Sequence, residues 1–357
     1  MNIAHETIFE VDLAALESNF NYFKYKLSKA TKIIAVVKAY SYGHGDLIIA
    51  KKLEELGIHA LWVADFEEGS RLRENGITIP IIIANPGRES TEQIIKNKLD
   101  VVIYNIELLH LFGKLDTEIN IHIKYNTGMN RYGFNFDETK ALIELLKKYP
   151  KLKIQSICSH LAASDNPKQD TFTNKQFLLF DKIYALFFKH LKVNRHILNT
   201  NGVLRFPDKD YEMVRLGIGL FGGVQDKNLK QIGTLKSVIS QIRKINTGDR
   251  IGYESSFIAK KEMTIGIIPF GYADGLNRKL GNFNGALLVN DNLCPIIGKI
   301  SMDSCIIDLS NISASSGDEV IIFGEQNPIL SISNKLATIP YEIYATLNRR
   351  IKRIYQS

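Results

Sequence analysis

Cysteine, tryptophan and proline are scarce in this 357-residue chain, which has 3 Cys, 1 Trp and 9 Pro. The cysteines, Cys158, Cys294 and Cys305, are odd in number and form no C-x-x-C pair, which argues against a disulfide framework and a structural zinc site. No metal site is expected. No apolar run approaches the roughly 18 uninterrupted residues a membrane helix needs. The opening MNIAHETIFEVD has neither a basic start nor an apolar stretch of signal-peptide length. A soluble, cytoplasmic protein with no membrane partner is expected. Biased composition is absent too, since 45% of residues are hydrophobic and 23% charged, which excludes disorder and collagen-like repeats.

The formal charge of +7 invites a nucleic-acid reading. Its densest runs, Lys24–Lys32, Lys147–Lys153 and Arg349–Arg353, lie far apart and carry no binding-module signature. They read as solvated helix faces, with no nucleic-acid partner.

The length suggests about two domains at roughly 100–200 residues each. Over the first two-thirds, short β-branched runs alternate with amphipathic segments, the pattern of βα units. Strands are expected near Lys32–Val37, His59–Ala64, Pro80–Ala84, Asp100–Tyr104, Ile119–Lys124, Lys153–Ser159, His196–Asn199 and Glu212–Leu216. Helices are expected between them, at Asp46–Leu56, Phe66–Asn75, Asp137–Tyr149 and Asn174–Leu191 among others. Eight such units imply a closed (β/α)8 barrel, whose chemistry sits on the loops after the strands. From about Leu235 short β-rich segments take over, implying a mainly β domain with a last helical stretch near Ser331–Asn348. The expected division is 1–233 for the barrel and 234–357 for the β domain, with residues 1–10 able to pack against the latter.

Polar residues follow every expected barrel strand: Lys38, Asp65, Asn85, Asn105, Lys124, His160, Asn201 and Arg215. Turn chemistry accounts for Asp65, Asn85 and Asn105. It does not call for Lys38, Lys124, His160 or Arg215. Four cationic or cation-capable groups at strand ends point to an anionic ligand, and the glycines after Arg215, in Leu216 to Gly223, would let backbone N–H groups approach a phosphate.

The segment Val36 to Gly45 (VVKAYSYGHG) resembles the cofactor-lysine motif of alanine racemases, enzymes that use pyridoxal 5'-phosphate. Lys124 to Gly133 (KYNTGMNRYG), Arg215 to Gly219 (RLGIG), Gly271 to Gly275 (GYADG), Gly298 to Asp303 (GKISMD), Gly317 to Val320 and Tyr341 to Ile343 agree in the same order. The likeness spans nearly the whole chain.

The resemblance implies racemisation of alanine by two bases, with Lys38 as the residue that carries the cofactor and Tyr272 as the base on the opposite face. It implies that His160 and Arg215 support that tyrosine, and that Arg215 donates to the cofactor's ring nitrogen. It assigns the phosphate to Tyr42, Asn201, Gly202, Gly217, Ile218 and Tyr341. Arg131 would clamp the substrate carboxylate, Met302 would line the substrate site, and Lys124, carbamylated in many relatives, and Asp303 would give structural support. A head-to-tail homodimer would bring Tyr272 and Met302 of one subunit over the other's barrel.

Two departures stand out. Gly202 replaces a common serine, and Asn126 a common aspartate. A racemase for serine or a broader range of amino acids, a non-catalytic carrier of the cofactor, a decarboxylase of the same plan and a class I aldolase are the competing readings. The second tyrosine and the β domain count against the carrier and the aldolase.

Overall fold

The computed structural model describes residues 5–209 and 211–357. Strand β1 (Ile8–Asp12) leads through the helix Leu13–Lys26 into eight further strands. These are β2 (Lys32–Val36), β3 (Ala60–Val63), β4 (Ile81–Ile83), β5 (Asp100–Ile103), β6 (Ile119–Lys124), β7 (Leu152–Cys158), β8 (Asn194–His196) and β9 (Met213–Leu216). They form one sheet in the order β8-β7-β6-β5-β4-β3-β2-β9, with every pairing parallel. The sheet all but closes on itself, for just past β8 the Leu198 carbonyl accepts from the Arg215 N–H of β9 at 3.0 Å. The expected (β/α)8 barrel is therefore present.

β8 departs most from expectation, ending at His196 rather than Asn199. Its partner β7 ends at Cys158, paired with His196, so no ladder remains for the residues beyond. Asn199 instead caps the helix Thr200–Arg205, its side chain accepting from the Gly202 N–H. Asp65 and Asn105 cap helices in the same way, at Phe66–Glu74 and Ile106–Gly113. Asn85 has another task and accepts from the Tyr104 hydroxyl at 2.6 Å.

Inward residues from successive strands fill the barrel. Ile34, Ala60, Trp62, Ile82, Val102, Cys158 and Met213 make one buried apolar cluster. On the side of β6 to β9 the filling is polar, with His122, Ser156, His196 and Arg215 all buried. Branched apolar residues usually dominate such interiors, so this half is unusual.

The chain divides into two compact units, one of residues 20–41 and 46–219 that holds the barrel, the other of residues 1–19, 42–45 and 220–357. The second is mainly β. Its strands are β10 (Gly233–Val238), β11 (Gln241–Ile245), β12 (Arg250–Ile251), β13 (Phe257–Ile258), β14 (Met263–Ile268), β15 (Ala286–Val289), β16 (Asn292–Pro295), β17 (Cys305–Asp308), β18 (Glu319–Phe323) and β19 (Lys352–Gln356). With β1 they make a six-stranded sheet, β16-β15-β18-β10-β1-β19, a three-stranded sheet, β11-β14-β17, and the hairpin β12-β13. The expected terminal helix is two helices, Ile329–Leu336 and Pro340–Ala345, because Ala337 turns left-handed at φ 52° and Pro340 begins afresh.

The run Arg349–Arg353, expected as a solvated helix face, is neither helical nor wholly solvated. Arg353 is buried and donates to the carbonyls of Gly43, Asn348 and Ile351, and Arg350 pairs with Asp274 and Asp303. Among the described residues no helix is long and apolar enough to cross a membrane.

Gly219, just past β9, sits where a Cβ would stand 2.5 Å from Thr200 Cγ2 and 2.7 Å from the Phe23 ring. Gly219→Ala is expected to destabilise the barrel by about 1–3 kcal/mol, as overpacking does. A thermal melt reads this directly, and an unchanged midpoint would contradict it.

Candidate active site

Lys38 stands two residues beyond β2 and begins a turn the backbone resists. Ala39, Tyr40, Ser41 and Tyr42 are left-handed in succession, at φ 54°, 57°, 50° and 49°. Each such residue costs roughly 1–2 kcal/mol outside glycine. Glu68 offsets part of this, with Oε1 accepting from the Ala39 N–H at 2.7 Å and Oε2 from the Ala64 N–H at 2.8 Å. Its carboxylate thus ties the end of β2 to the end of β3. Burial pushes the Glu68 pKa up despite those two donors, and Asp65 and Asp46 add to the rise. Sequence reasoning missed Glu68, because two glutamates after a capping aspartate look like an ordinary helix start.

The Lys38 side chain is open to solvent in part. Desolvation of what is covered, followed by the charge of Arg131, lowers its pKa, with Arg215 adding to the fall and Glu68 opposing it.

Arg215 is 5% exposed and lies 5.3 Å from the Trp62 ring centre. It donates to the Ser159 carbonyl at 2.6 Å, to His160 Nδ1 at 3.1 Å and to His196 Nδ1. None of these acceptors is charged. A guanidinium only donates, so His160 accepts at Nδ1 and, when neutral, carries its proton on Nε2. Burial first, then Arg215, Lys124, Arg131 and Lys38, hold the His160 pKa well below the ordinary histidine value.

Lys124 ends β6. Its burial, with the charges of Arg215, Arg131 and Lys38 outweighing the opposite pull of Cys158, brings its pKa down to about 8. Lys38, Lys124, His160 and Arg215 therefore converge electrostatically, as their positions at strand ends suggested.

Arg131 is exposed on a loop that Phe134 closes, with its N–H on the Lys124 carbonyl and its carbonyl on the Asn126 N–H, both at 2.9 Å. Gly133 allows that closure at φ 123°, where a Cβ would lie 2.4 Å from the Tyr125 carbonyl carbon. Asn126 works within the loop, its Oδ1 accepting from the Gly128 and Asn130 N–H groups at 3.0 Å. An amide does there what a carboxylate could do, without the charge.

Past β8, Asn201 and Gly202 lie in the helix that Asn199 caps, and the Gly202 N–H is already used by Asn199 Oδ1 at 2.9 Å. Gly217 and Ile218 follow β9 as a buried turn, and the Gly217 N–H is only loosely held, 3.4 Å from Thr200 Oγ1.

The other unit brings two of the expected residues together, for the rings of Tyr42 and Tyr341 meet edge to face at 5.6 Å. Its remaining residues share one platform. Tyr272 follows β14 and is 41% exposed, and Met302 is 53% exposed. Their loops are paired, since the Tyr272 N–H donates to the Ser301 carbonyl at 3.0 Å and the Ala273 N–H to the Met302 carbonyl at 2.9 Å. Arg350 pins both loops from below, with Nε on Asp274 and Nη2 on Asp303 at 2.6 Å each. No sequence pattern marked Arg350. The Arg278 guanidinium lies 5.7 Å from the Tyr272 ring centre.

Residues 11–225 match the profile described as alanine racemase, N-terminal domain, and residues 232–355 that of the C-terminal domain. The protein called alanine racemase 1 of Caldanaerobacter subterraneus subsp. tengcongensis is 35% identical over 98% of this chain and 94% of its own length. Among solved structures, alanine racemase of Clostridium difficile 630 superposes with a TM-score of 0.93 at 31% identity, covering 99% of this chain and 97% of that one. A structure of alanine racemase from Bartonella henselae with covalently bound pyridoxal phosphate gives 0.90 at 29% identity, over 98% and 99% of the two chains. With both halves matched in order along nearly its full length, the chain belongs to the alanine racemase family of isomerases.

Proposed function

We propose that the chain interconverts L- and D-alanine with pyridoxal 5'-phosphate, by a two-base mechanism in a homodimer. The observation that carries the reading is the group of Lys38, Lys124, His160 and Arg215 at one barrel end, with the lysines and the histidine held below their usual pKa values. That donor set suits the cofactor: a primary amine to bear it, a fixed cation for its ring nitrogen, and phenolic and backbone donors for its phosphate. The two profiles meet between residues 225 and 232, which supports a functional division near 233.

The cofactor, when bound, supplies the electron sink that makes the Cα proton acidic. Lys38 would hold it and, once freed, take that proton on one face, its lowered pKa favouring the uncharged amine that this requires. Arg131 clamps the substrate carboxylate, bidentate geometry being natural to a guanidinium. Arg215 donates to the ring nitrogen without surrendering its proton, which restrains side reactions that a fully protonated ring would favour. Tyr42, Tyr341, Asn201 and the backbone of Gly217 and Ile218 are assigned to the phosphate. Gly202, its N–H engaged by Asn199, contributes shape there rather than a hydrogen bond. On the opposite face stands Tyr272 of the partner subunit. The His160 Nε2–H, facing away from Arg215, is the donor that stabilises its phenolate. Met302 from the same platform lines the substrate site.

Purified, cofactor-loaded protein is expected to convert L-alanine to D-alanine faster than it converts serine, lysine or arginine; a preference for any of these would replace alanine as substrate. Lys38→Ala is expected to lose about a thousandfold or more of the rate, the scale of a missing acid–base group. Tyr272→Phe is expected to slow abstraction from one enantiomer more than from the other, visible as unequal isotope effects in the two directions. Mixing Lys38→Ala with Tyr272→Ala protein is expected to restore part of the activity once subunits exchange. No recovery despite proven exchange would refute a shared site.

Lys124 is proposed to be carbamylated, turning a cation into an anion beside Arg131. With a pKa of about 8, about a tenth of it is uncharged at pH 7, far more than of an ordinary lysine, and only the free amine attacks carbon dioxide. Carbamylation should therefore rise with pH through about 8 and reverse on acidification. A carbon-13 carbamate signal from labelled bicarbonate, absent in Lys124→Ala, tests this.

A further inference from the structure

Across β9, β8, β7, β6 and β5, each neighbouring strand contributes one buried polar side chain to a descending series inside the barrel: Arg215, His196, Ser156, His122 and Asp100. Arg215 Nη1 meets His196 Nδ1. His196 Nε2 lies 2.9 Å from Ser156 Oγ, and Ser156 Oγ lies 2.7 Å from His122 Nδ1. His122 Nε2 faces Asp100 Oδ2 at 3.5 Å, a looser contact than a good hydrogen bond. Asp100 is fixed from its other oxygen by Asn120 Nδ2 at 3.1 Å.

The arginine end sets the proton positions. Arginine can only donate, so His196 must accept at Nδ1 and carry its proton on Nε2. That N–H points at Ser156, so the serine oxygen accepts and its own proton goes to His122 Nδ1. Accepting at Nδ1, a neutral His122 carries its proton on Nε2, the nitrogen that faces the Asp100 carboxyl group. From Arg215 to His122 every donor points the same way, the arrangement in which hydrogen bonds polarise one another in a low-dielectric interior; His122 Nε2 itself makes no hydrogen bond and only faces Asp100. The tautomers are assigned from this pattern.

We propose that Ser156 is a positioning residue: its hydroxyl joins the two buried histidines into a one-way hydrogen-bonded chain that orients the Arg215 guanidinium at the barrel mouth. The inference rests on the reading that Arg215 faces the cofactor's ring nitrogen. Without the hydroxyl, His196 Nε2–H and His122 Nδ1 lose their partners in a buried space. His196 is then no longer held in the one tautomer that can accept from Arg215.

Nitrogen-15 spectra of histidine-labelled holoenzyme test the chain without any mutation. His196 and His122 should both be neutral and protonated on Nε2; an imidazolium, or a proton on Nδ1 of either ring, overturns the proposal. In Ser156→Ala the same two rings should shift while His110 and His190 do not. The absorbance of the bound cofactor should change, and kcat should fall about tenfold with KM for alanine within about twofold, as expected when one oriented hydrogen bond acting on the transition state is lost. Ser156→Thr, which keeps the hydroxyl, should recover both. Unchanged kcat and absorbance in Ser156→Ala overturn the positioning role. The reading of Arg215 fails separately, if Arg215→Lys leaves the cofactor's absorbance unaltered while the histidine signals of the wild-type protein stand as described.

Discussion

At the barrel mouth the buried charge of Arg215 has no carboxylate among its hydrogen-bond partners. Arg215, buried to 5% exposure, bonds only to backbone carbonyls and neutral imidazoles. Burying a charge without a paired counter-charge is costly unless its donors are satisfied, and here they are satisfied by dipoles alone. The neighbours register the imbalance. Lys38, Lys124 and His160 are each driven toward their uncharged forms, burial acting first and the remaining cations after it. Glu68, the acid that opposes the shift at Lys38, already holds two backbone N–H groups, so little of its charge is free to compensate. A phosphate and a carboxylate are the ligands such a field favours, and it shifts both lysines toward the uncharged amine.

The same imbalance gives the strained turn after Lys38 a purpose. Four left-handed residues without glycine would be abandoned in a free chain. They persist because the Glu68 carboxylate fixes the Ala39 N–H, so the carboxylate that moderates the Lys38 pKa also fixes where that lysine begins. Orientation and electrostatics are set by one side chain, and a change there would disturb both together.

The sequence made the strand-end chemistry legible because barrel topology converts position into function. A lysine, histidine or arginine after a β-branched run needs no alignment to look out of place. The turn character of Asp65 and Asn105 was legible for the opposite reason, since turn chemistry is local, although their helix-capping role was not. Ser156, His122 and His196 were not, because alternation within a strand says which side chains point inward but not which of them meet across three strands. Glu68 and Arg350 hid for a further reason: one resembles a helix N-terminus, the other a surface basic run, and only tertiary pairing with Ala39 or with Asp274 and Asp303 separates them from that background. The end of β8 was misjudged because a three-residue strand carries too little pattern to outweigh a capping asparagine.

On the two-base reading, the second unit meets a requirement the barrel alone leaves open. A phenol ordinarily titrates near 10 and serves as a base near neutrality only where its anion is stabilised and water is excluded. Tyr272 and Met302 stand substantially in solvent in the single chain, yet their loops are braced by paired backbones and by Arg350. A braced platform presenting an exposed tyrosine and methionine has already met much of the entropic cost of ordering. A second copy of the chain supplies a covering surface in the proposed dimer, together with the His160 Nε2–H that Arg215 directs outward. Dimerisation in that reading does more than hold two enzymes together: it dries the phenol and aims a donor at its oxygen in the same step.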